Sequence, residues 1–265
     1  MGKFAALDWY ETPLYYDIVF SGDDAREGHF LEQVLERHAA PRRSRARRRV
    51  LEPACGSGRM VLEMAARGCV VTGFDASEPM LAFARKRLRS AGRRARLELA
   101  RLEDFEVGSG FDLAHCLVNT FKYLLDEDAA RAHLACVARA LRPGGVYAIG
   151  IHLTQYEDRR ANHERWRAQR AGVEVVCNIR GAPADRRTRL ERVRSRLCVV
   201  ERGVVKRSQT QWSFRTYDLR QFRALVRAVP SLELAACYDF GYDVERPRKL
   251  PDDQLDCVFV LRRRT

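Results

Sequence analysis

The sequence predicts an α/β protein built on a doubly wound, mostly parallel sheet. Three observations carry that expectation. Val50-Leu51-Glu52-Pro53 reads as a buried strand that breaks into a glycine loop, Ala54-Cys55-Gly56-Ser57-Gly58. The loop opens a helix with apolar Met60, Val61, Met64 and Ala65, stopped by Gly68. A second apolar strand, Val70-Val71-Thr72-Gly73-Phe74, then closes on an acid, Asp75. Strand, glycine loop, helix, strand, acid is the layout of a nucleoside-binding βαβ unit, in which the acid receives ribose hydroxyls. Strand and helix signals go on alternating to about residue 153, the pattern of a parallel sheet with helices on both faces.

Three ligands compete for such a unit. A dinucleotide fingerprint wants a third glycine where Val61 stands. A phosphate-binding loop ends in Gly-Lys-Ser/Thr, and Arg59-Met60 does not supply it. Glu52 would repel a pyrophosphate but attract an ammonium group. These features suit S-adenosylmethionine, which has a ribose, an adenine and an amino-acid end but no phosphate. A bare Gly-x-Gly is also an ordinary turn, so Glu52 before it and Asp75 after it carry the reading.

On these residues the chain resembles the class I S-adenosylmethionine-dependent methyltransferases, among them the bacterial small-molecule type. Glu52-Pro53-Ala54-Cys55-Gly56-Ser57-Gly58 is similar to the family's first motif, and Phe74-Asp75-Ala76-Ser77 with Met80 to its second. Phe111-Asp112-Leu113 through Asn119-Thr120-Phe121 is similar to the strand beneath the transferred methyl. Leu141-Arg142-Pro143-Gly144-Gly145 resembles the turn before the fifth strand. The likeness is strong over about residues 48–153 and weak elsewhere.

The resemblance implies a Rossmann-like, doubly wound, mostly parallel seven-stranded sheet, with an antiparallel β meander inserted after the fifth strand. The core is expected at 49–153 and 217–265, an N-terminal arm and helix acting as a lid at 1–48, and a substrate-covering insertion at 154–216. The implied cofactor is S-adenosylmethionine, leaving S-adenosylhomocysteine as product. Its implied binding residues are Glu52, Ala54, Cys55, Gly56, Asp75, Ala76, Met80, Leu102, Glu103, Leu117 and Asn119. Glu52 would hold the methionine amino end and Asp75 the ribose diol. Arg101 stands where the family has an acid for the adenine amine, and Glu103 or Asp104 would have to substitute.

The elements follow in order. Residues 1–20 carry an aromatic arm with Trp9, Tyr10, Tyr15, Tyr16 and Phe20, either packed on the core or closing over the ligands. Residues 25–38 form an amphipathic helix with Phe30, Leu31, Val34 and Leu35 on one stripe. Ser77 caps a helix from about Glu78 to Ala91. Arg96–Ala100 and Phe111–Val118 are strands, and Asp126 caps a helix running to about Arg142. The fifth strand is Val146–Leu153. Segments near 164–180, 187–201 and 204–216 alternate as a meander, with turns at Gly181-Ala182-Pro183 and Gly203. Asp218–Ala228 returns to helix, Leu232–Tyr238 and Leu255–Leu261 are strands, and Phe240–Asp253 between them is loop.

Composition narrows the classes. The 265 residues are 46% hydrophobic, enough for a sizeable core. No apolar run approaches the ~20 residues of a membrane span, and the first residues do not read as a signal peptide. The eight cysteines stand singly, so zinc and dithiol motifs are not expected, and a reducing, cytoplasmic setting is. No metal site is expected. Five of the 48 basic residues are lysines, leaving 43 arginines spread along the chain at a net charge of +13. The run Pro41–Arg49 is expected to be a solvated connection. A homodimer is compatible with the sequence.

The sulfonium methyl is already activated, so transfer needs in-line orientation first, and a base only where the acceptor is protonated. The expected acceptor is a small molecule methylated on nitrogen or oxygen. Nucleic acid is possible but disfavoured: no Asn/Asp-Pro-Pro-aromatic follows the fourth strand, where Asn119-Thr120-Phe121 stands. His152 and Tyr16 are the candidate catalytic residues, with Tyr15 and Tyr156 near them. A protein that binds the cofactor without transferring the methyl is the remaining alternative.

Overall fold

The structure, a computed structural model, describes residues 4–42, 46–250 and 255–265. The chain begins with a short strand β1 (Ala5–Ala6), a 3-10 turn (Trp9–Glu11) and helix α1 (Pro13–Phe20), in which proline occupies the first turn. Helix α2 (Asp24–His38) buries the expected stripe of Phe30, Leu31, Val34 and Leu35. Then come β2 (Arg49–Pro53), α3 (Arg59–Ala66), β3 (Val70–Asp75), α4 (Glu78–Ser90), β4 (Arg96–Leu99), β5 (Phe111–Cys116), α5 (Glu127–Ala140) and β6 (Leu141–His152). Ser77 and Asp126 cap α4 and α5 by accepting from Met80 N and Ala129 N. The meander is β7 (Asn162–Arg170), β8 (Val173–Gly181), β9 (Leu190–Glu201) and β10 (Val204–Arg215). Helix α6 (Leu219–Arg227), with a full capping box at Asp218 and Gln221, leads to β11 (Leu232–Tyr238) and β12 (Asp256–Arg263).

Seven strands form one sheet in the order β11-β12-β6-β5-β2-β3-β4. β2 through β6 pair in parallel, and β12 and β11 pair antiparallel. The inner parallel strands are largely apolar on both faces because helices cover both, while the edge strand β4 buries no residue. Along β6, Tyr147, Ile149 and Ile151 join α5 and α6 on one side, while Val146 and Ala148 join α2, α3 and α4 on the other. Phe222 of α6 stacks on Phe259 at 4.3 Å between centroids. The chain runs outward from β2 to β4, then crosses back to β5 on the other side of β2. That reversal leaves a crevice at the carboxyl ends of β2 and β5.

The second sheet is β1-β10-β9-β8-β7. Two features differ from the sequence expectation. The stretch 164–180 is two strands, because Ala171 (φ 50°) and Gly172 (φ 78°) make a tight turn between them. The aromatic arm adds β1 to β10 and packs Trp9 and Ile18 against Val173, Val175, Leu197 and Val199. Arm and meander therefore share one core, distinct from the two flanking the main sheet.

The basic run is a solvated connection only in part: Pro41, Ala46 and Arg47 are exposed, but Arg42, Arg48 and Arg49 gather on one carboxylate, and residues 43–45 lie outside the described residues. Asp112, at the start of β5, is 1% exposed. It accepts from Arg42 Nη1 at 2.8 Å, Arg49 N at 2.9 Å and Arg142 Nε at 2.7 Å, with Arg48 Nη1 at 3.6 Å. Burial pushes its pKa up, but these donors outweigh burial and hold it below the usual carboxylate range. Asp112→Ala should cost about 3–5 kcal/mol, since it strands several guanidinium groups beside a buried strand end; an unchanged melting temperature would contradict this. Because the folded pKa is depressed, Asp112's contribution is present at neutral pH and disappears as pH falls through the carboxylate range. The variant should therefore lose the corresponding part of the wild-type acid dependence.

Candidate active site

A cavity of about 690 Å³ occupies the crevice. Its floor is the ends of β2, β5 and β6, and its walls are the arm and the inner face of the second sheet. The glycine loop makes the first edge. Gly58 sits at φ 73° with α4 so close that a Cβ there would lie 2.6 Å from Ala84 Cβ, so only glycine fits. Asp75 secures the loop: Oδ2 accepts from Gly56 N at 2.8 Å and Oδ1 from Ser77 N at 2.9 Å. Beyond β5, Val118 (φ 56°) and Asn119 (φ 65°) occupy left-handed backbone. For a β-branched valine that conformation is strained, at roughly 1–3 kcal/mol. Gly150 on β6 permits it, since a Cβ there would come within 2.8 Å of Val118 N. Strain thus collects where β5 meets the cavity.

Glu52 lies in this floor, 8% exposed, with Oε2 lacking any hydrogen-bond partner. Burial pushes its pKa up to about 8, against the pull of Arg59. His115 Nε2 stands 4.0 Å away, also without a partner. Burial, with Arg59 adding to it, drives the His115 pKa down to about 3. Both groups are thus mainly neutral at pH 7, and the contact is not an ion pair. Arg59 pairs with Asp24 at 2.8 Å and with the buried Glu27 at 2.7 Å. From the arm, Asp17 reaches in at 1% exposure. It accepts from Ser57 Oγ at 2.6 Å, and Arg87 of α4 and Arg170 of β7 both bind it.

Of the sequence-predicted residues, Glu52, Ala54, Cys55, Gly56, Leu117, Asn119, Tyr16 and His152 line the cavity. Asp75 adjoins it through Gly56. Ala76, Met80, Leu102 and Glu103 lie outside the lining. Met80 is fully buried core, Ala76 is exposed, and Glu103 pairs with Arg101. The Leu102 carbonyl accepts from His133 Nδ1 at 2.8 Å. Two tyrosines are corrected. Tyr156 is buried outside the cavity, holding Thr216 at 2.9 Å and Gln221 at 3.0 Å, and Tyr15 binds Glu201 at 3.0 Å at the meander's edge.

His152 and Asp256 share the rim, with His152 Nδ1 2.6 Å from Asp256 Oδ1. Asn119 Oδ1 accepts from His152 N at 2.7 Å, tying the strained turn to this pair. The carboxylate holds one ring nitrogen and leaves Nε2 free for proton transfer. Tyr16 keeps its proton to about pH 12 because it is buried, so it can donate a hydrogen bond but not act as a base at neutral pH. The far half of the cavity is aromatic, with Trp166, Trp212 and Phe214 from the meander and Tyr10 donating to Tyr123 at 2.6 Å. Lys122, 3% exposed, lies 3.4 Å from Glu191 and 5.0 Å from the Phe214 ring centroid. Burial lowers its pKa and Glu191 restores part of it.

The sequence reading missed His115, Asp17, Arg59 and Lys122. For His115 there was a signal, a lone polar ring inside the apolar strand Phe111–Cys116. Asp17 and Lys122 sit among aromatic residues, and only the tertiary fold turns them inward.

Residues 50–145 match the model of a methyltransferase domain. Over that stretch the chain is similar to methyltransferase domains. Over its whole length the fold is similar to a crystal structure of an S-adenosylmethionine-dependent methyltransferase from Clostridium acetobutylicum, with TM-score 0.76, 18% identity, and coverage of 97% of this chain and 99% of that one. It is likewise similar to DesVI of Streptomyces venezuelae, at TM-score 0.76, 19% identity, 98% of this chain and 99% of that one. At such identities the likeness speaks for the fold. By sequence the core is 29% identical over 137 residues to a dTDP-3-amino-3,6-dideoxy-alpha-D-glucopyranose N,N-dimethyltransferase of Streptomyces fradiae, covering 51% of this chain and 50% of that protein. The chain spans about half or less of the length of the curated relatives it matches. No helix of the described residues is long and apolar enough to cross a membrane, and none of their His, Cys, Asp and Glu side chains form a metal-sized group.

The donors present suit S-adenosylmethionine. Glu52 Oε2 is an unpartnered carboxyl oxygen in the cavity floor, matched to an ammonium, and Asp75 anchors the loop beside it. Glu52 also burdens the ligand-free fold. Its folded pKa lies above the unfolded value, so Glu52's own contribution to stability is most favourable below about pH 4.5 and declines as pH rises towards about 8. The loss is on the order of 4 kcal/mol. Glu52→Gln should therefore raise the melting temperature of the ligand-free protein at pH 8 and leave it little changed at pH 5. Equal shifts at both pH values would refute that account.

Proposed function

We propose that the chain is an S-adenosylmethionine-dependent methyltransferase that methylates nitrogen on a small molecule. The observation that carries this reading is the sign of the cavity. Seven carboxyl side chains line it, Glu52 among them mainly protonated in the ligand-free protein, against two basic side chains, Arg59 and Lys122, in a protein whose net charge is +13. Such a lining attracts a cation and disfavours a phosphorylated group. The aromatic half adds cation–π surfaces for an ammonium acceptor. The Streptomyces fradiae relative, by its name, methylates the amine of a dTDP-linked sugar; its amine agrees with this lining, and its diphosphate does not. A hydroxyl acceptor would meet the same histidine but gain nothing from the acid lining.

Bound S-adenosylmethionine supplies a methyl group already activated on a sulfonium sulfur. Glu52 would take its ammonium, and the Asp75 region its ribose. Segment 1–48 would close the cavity as a lid, and 154–216 would wall the acceptor. An amine arriving as its ammonium must lose a proton before it can accept a methyl. His152 Nε2 would take that proton, and Asp256 at Nδ1 would stabilise the resulting imidazolium.

Calorimetric titration with S-adenosylmethionine and S-adenosylhomocysteine, at low and moderate salt, tests the cofactor. Micromolar binding of both, insensitive to salt, is expected, and no binding of either would overturn the proposal. Asp75→Ala should weaken binding at least tenfold, since hydrogen bonds to a charged group contribute about 1.5–3 kcal/mol. For the base, His152→Ala should reduce kcat about 100-fold at neutral pH with cofactor affinity retained. Its rate should recover as pH rises and the amine deprotonates unaided; an equal deficit at every pH would assign His152 another role.

A further inference from the structure

The second sheet has two faces, and only the inner one is covered. Val175, Cys177, Leu197 and Val199 face inward against the arm. The strand register places the alternate residues together on the outer face. One row crosses it as Gln211, Arg194, Arg180 and His163. The next is Gln209, Arg196, Asn178 and Arg165. Arg192 stands above Arg194 on β9, and Arg207 and Arg167 occupy the row below. This one face therefore carries seven arginines, with Glu174 the single carboxylate among them. Arg167 pairs with Glu174, and Arg196 bonds Gln209 and lies over Phe4. The other five have no carboxylate partner among the described residues. Arg194 and Arg180 are directly opposite each other across β9 and β8, a like-charge pairing that costs stability.

We infer that this outer face binds the phosphate backbone of a duplex nucleic acid, independently of sequence and apart from the cavity. The arginine fork matches phosphate oxygens in pairs. The two central rows hold Gln, Asn and His beside the arginines and carry no apolar anchor; Cys198 and Val176 stand between Arg207 and Arg167 in the row below. A protein partner wants such an anchor, whereas nucleic-acid interfaces are polar and strongly basic. A second copy of the chain is repelled by like charge. Among the described residues the rings near these rows are His163 at one end and Phe4 at the other edge, with none between them on which successive bases could stack, so a duplex backbone fits better than a single strand.

The test is fluorescence anisotropy of a labelled 20-base-pair DNA duplex across a salt series. The wild type should bind with a slope of log affinity against log salt of about −4 or steeper, near 0.9 per phosphate neutralised. The triple substitution Arg180→Ser, Arg192→Ser and Arg194→Ser should reduce the slope by about 2 to 3 and the affinity at least 30-fold. Arg89→Ser, Arg93→Ser and Arg94→Ser on exposed α4 and its following turn remove the same charge elsewhere, and should have a much smaller effect. Melting curves check folding, and the single Arg194→Glu replaces the triple variant if it unfolds. No duplex binding at low salt, equal losses in both triple variants, tighter binding of the single strand, or binding only to phosphatidylserine vesicles would each overturn the inference.

Discussion

A carboxyl group buried at the end of a parallel strand is the constraint on which the rest of this structure depends. Glu52 occupies the reversal point of the sheet, where strand ends diverge and side chains face a cavity instead of a core. Nothing in the described protein satisfies its outer oxygen. The neighbouring groups are arranged around that fact. His115 beneath it is held neutral, Arg59 is drawn off by Glu27 and Asp24, and the glycine loop passes without side chains beside it. A fold that keeps a costly group unpaired retains an attraction available for a ligand.

Much of this was legible in the sequence, for local reasons. Gly56, Gly58 and Asp75 act through backbone geometry within a single βαβ unit, so their spacing carries their meaning. The caps at Ser77, Asp126 and Asp218 are similarly local. Met80 could not be placed by spacing alone: it is on a helical stripe, and the stripe faces the core. The arginine run misled because composition made it look like surface, while three of its members converge on one carboxylate contributed by β5.

The acceptor half was the least legible part. Its walls come from the arm and from a meander more than 100 residues later, which meet only because they bury each other's apolar faces. Alternation shows which residues share a face, but not that Trp166, Trp212 and Phe214 look onto Glu52's crevice. The same alternation sends aromatic and acidic residues to one side of the sheet and arginines to the other. A thin layer, one strand deep, thus separates two surfaces of opposite electrostatic character.

Asp17 has a consequence for how the arm is held. It is a single carboxylate joining the arm to the glycine loop, to α4 and to β7. Swinging the arm outward would leave Arg87 and Arg170 facing each other without the anion between them. Asp17 thereby holds the arm against the glycine loop. Because Asp17 is buried at 1% exposure, salt in solution screens this attachment far less than it screens the ion pairs of the surface.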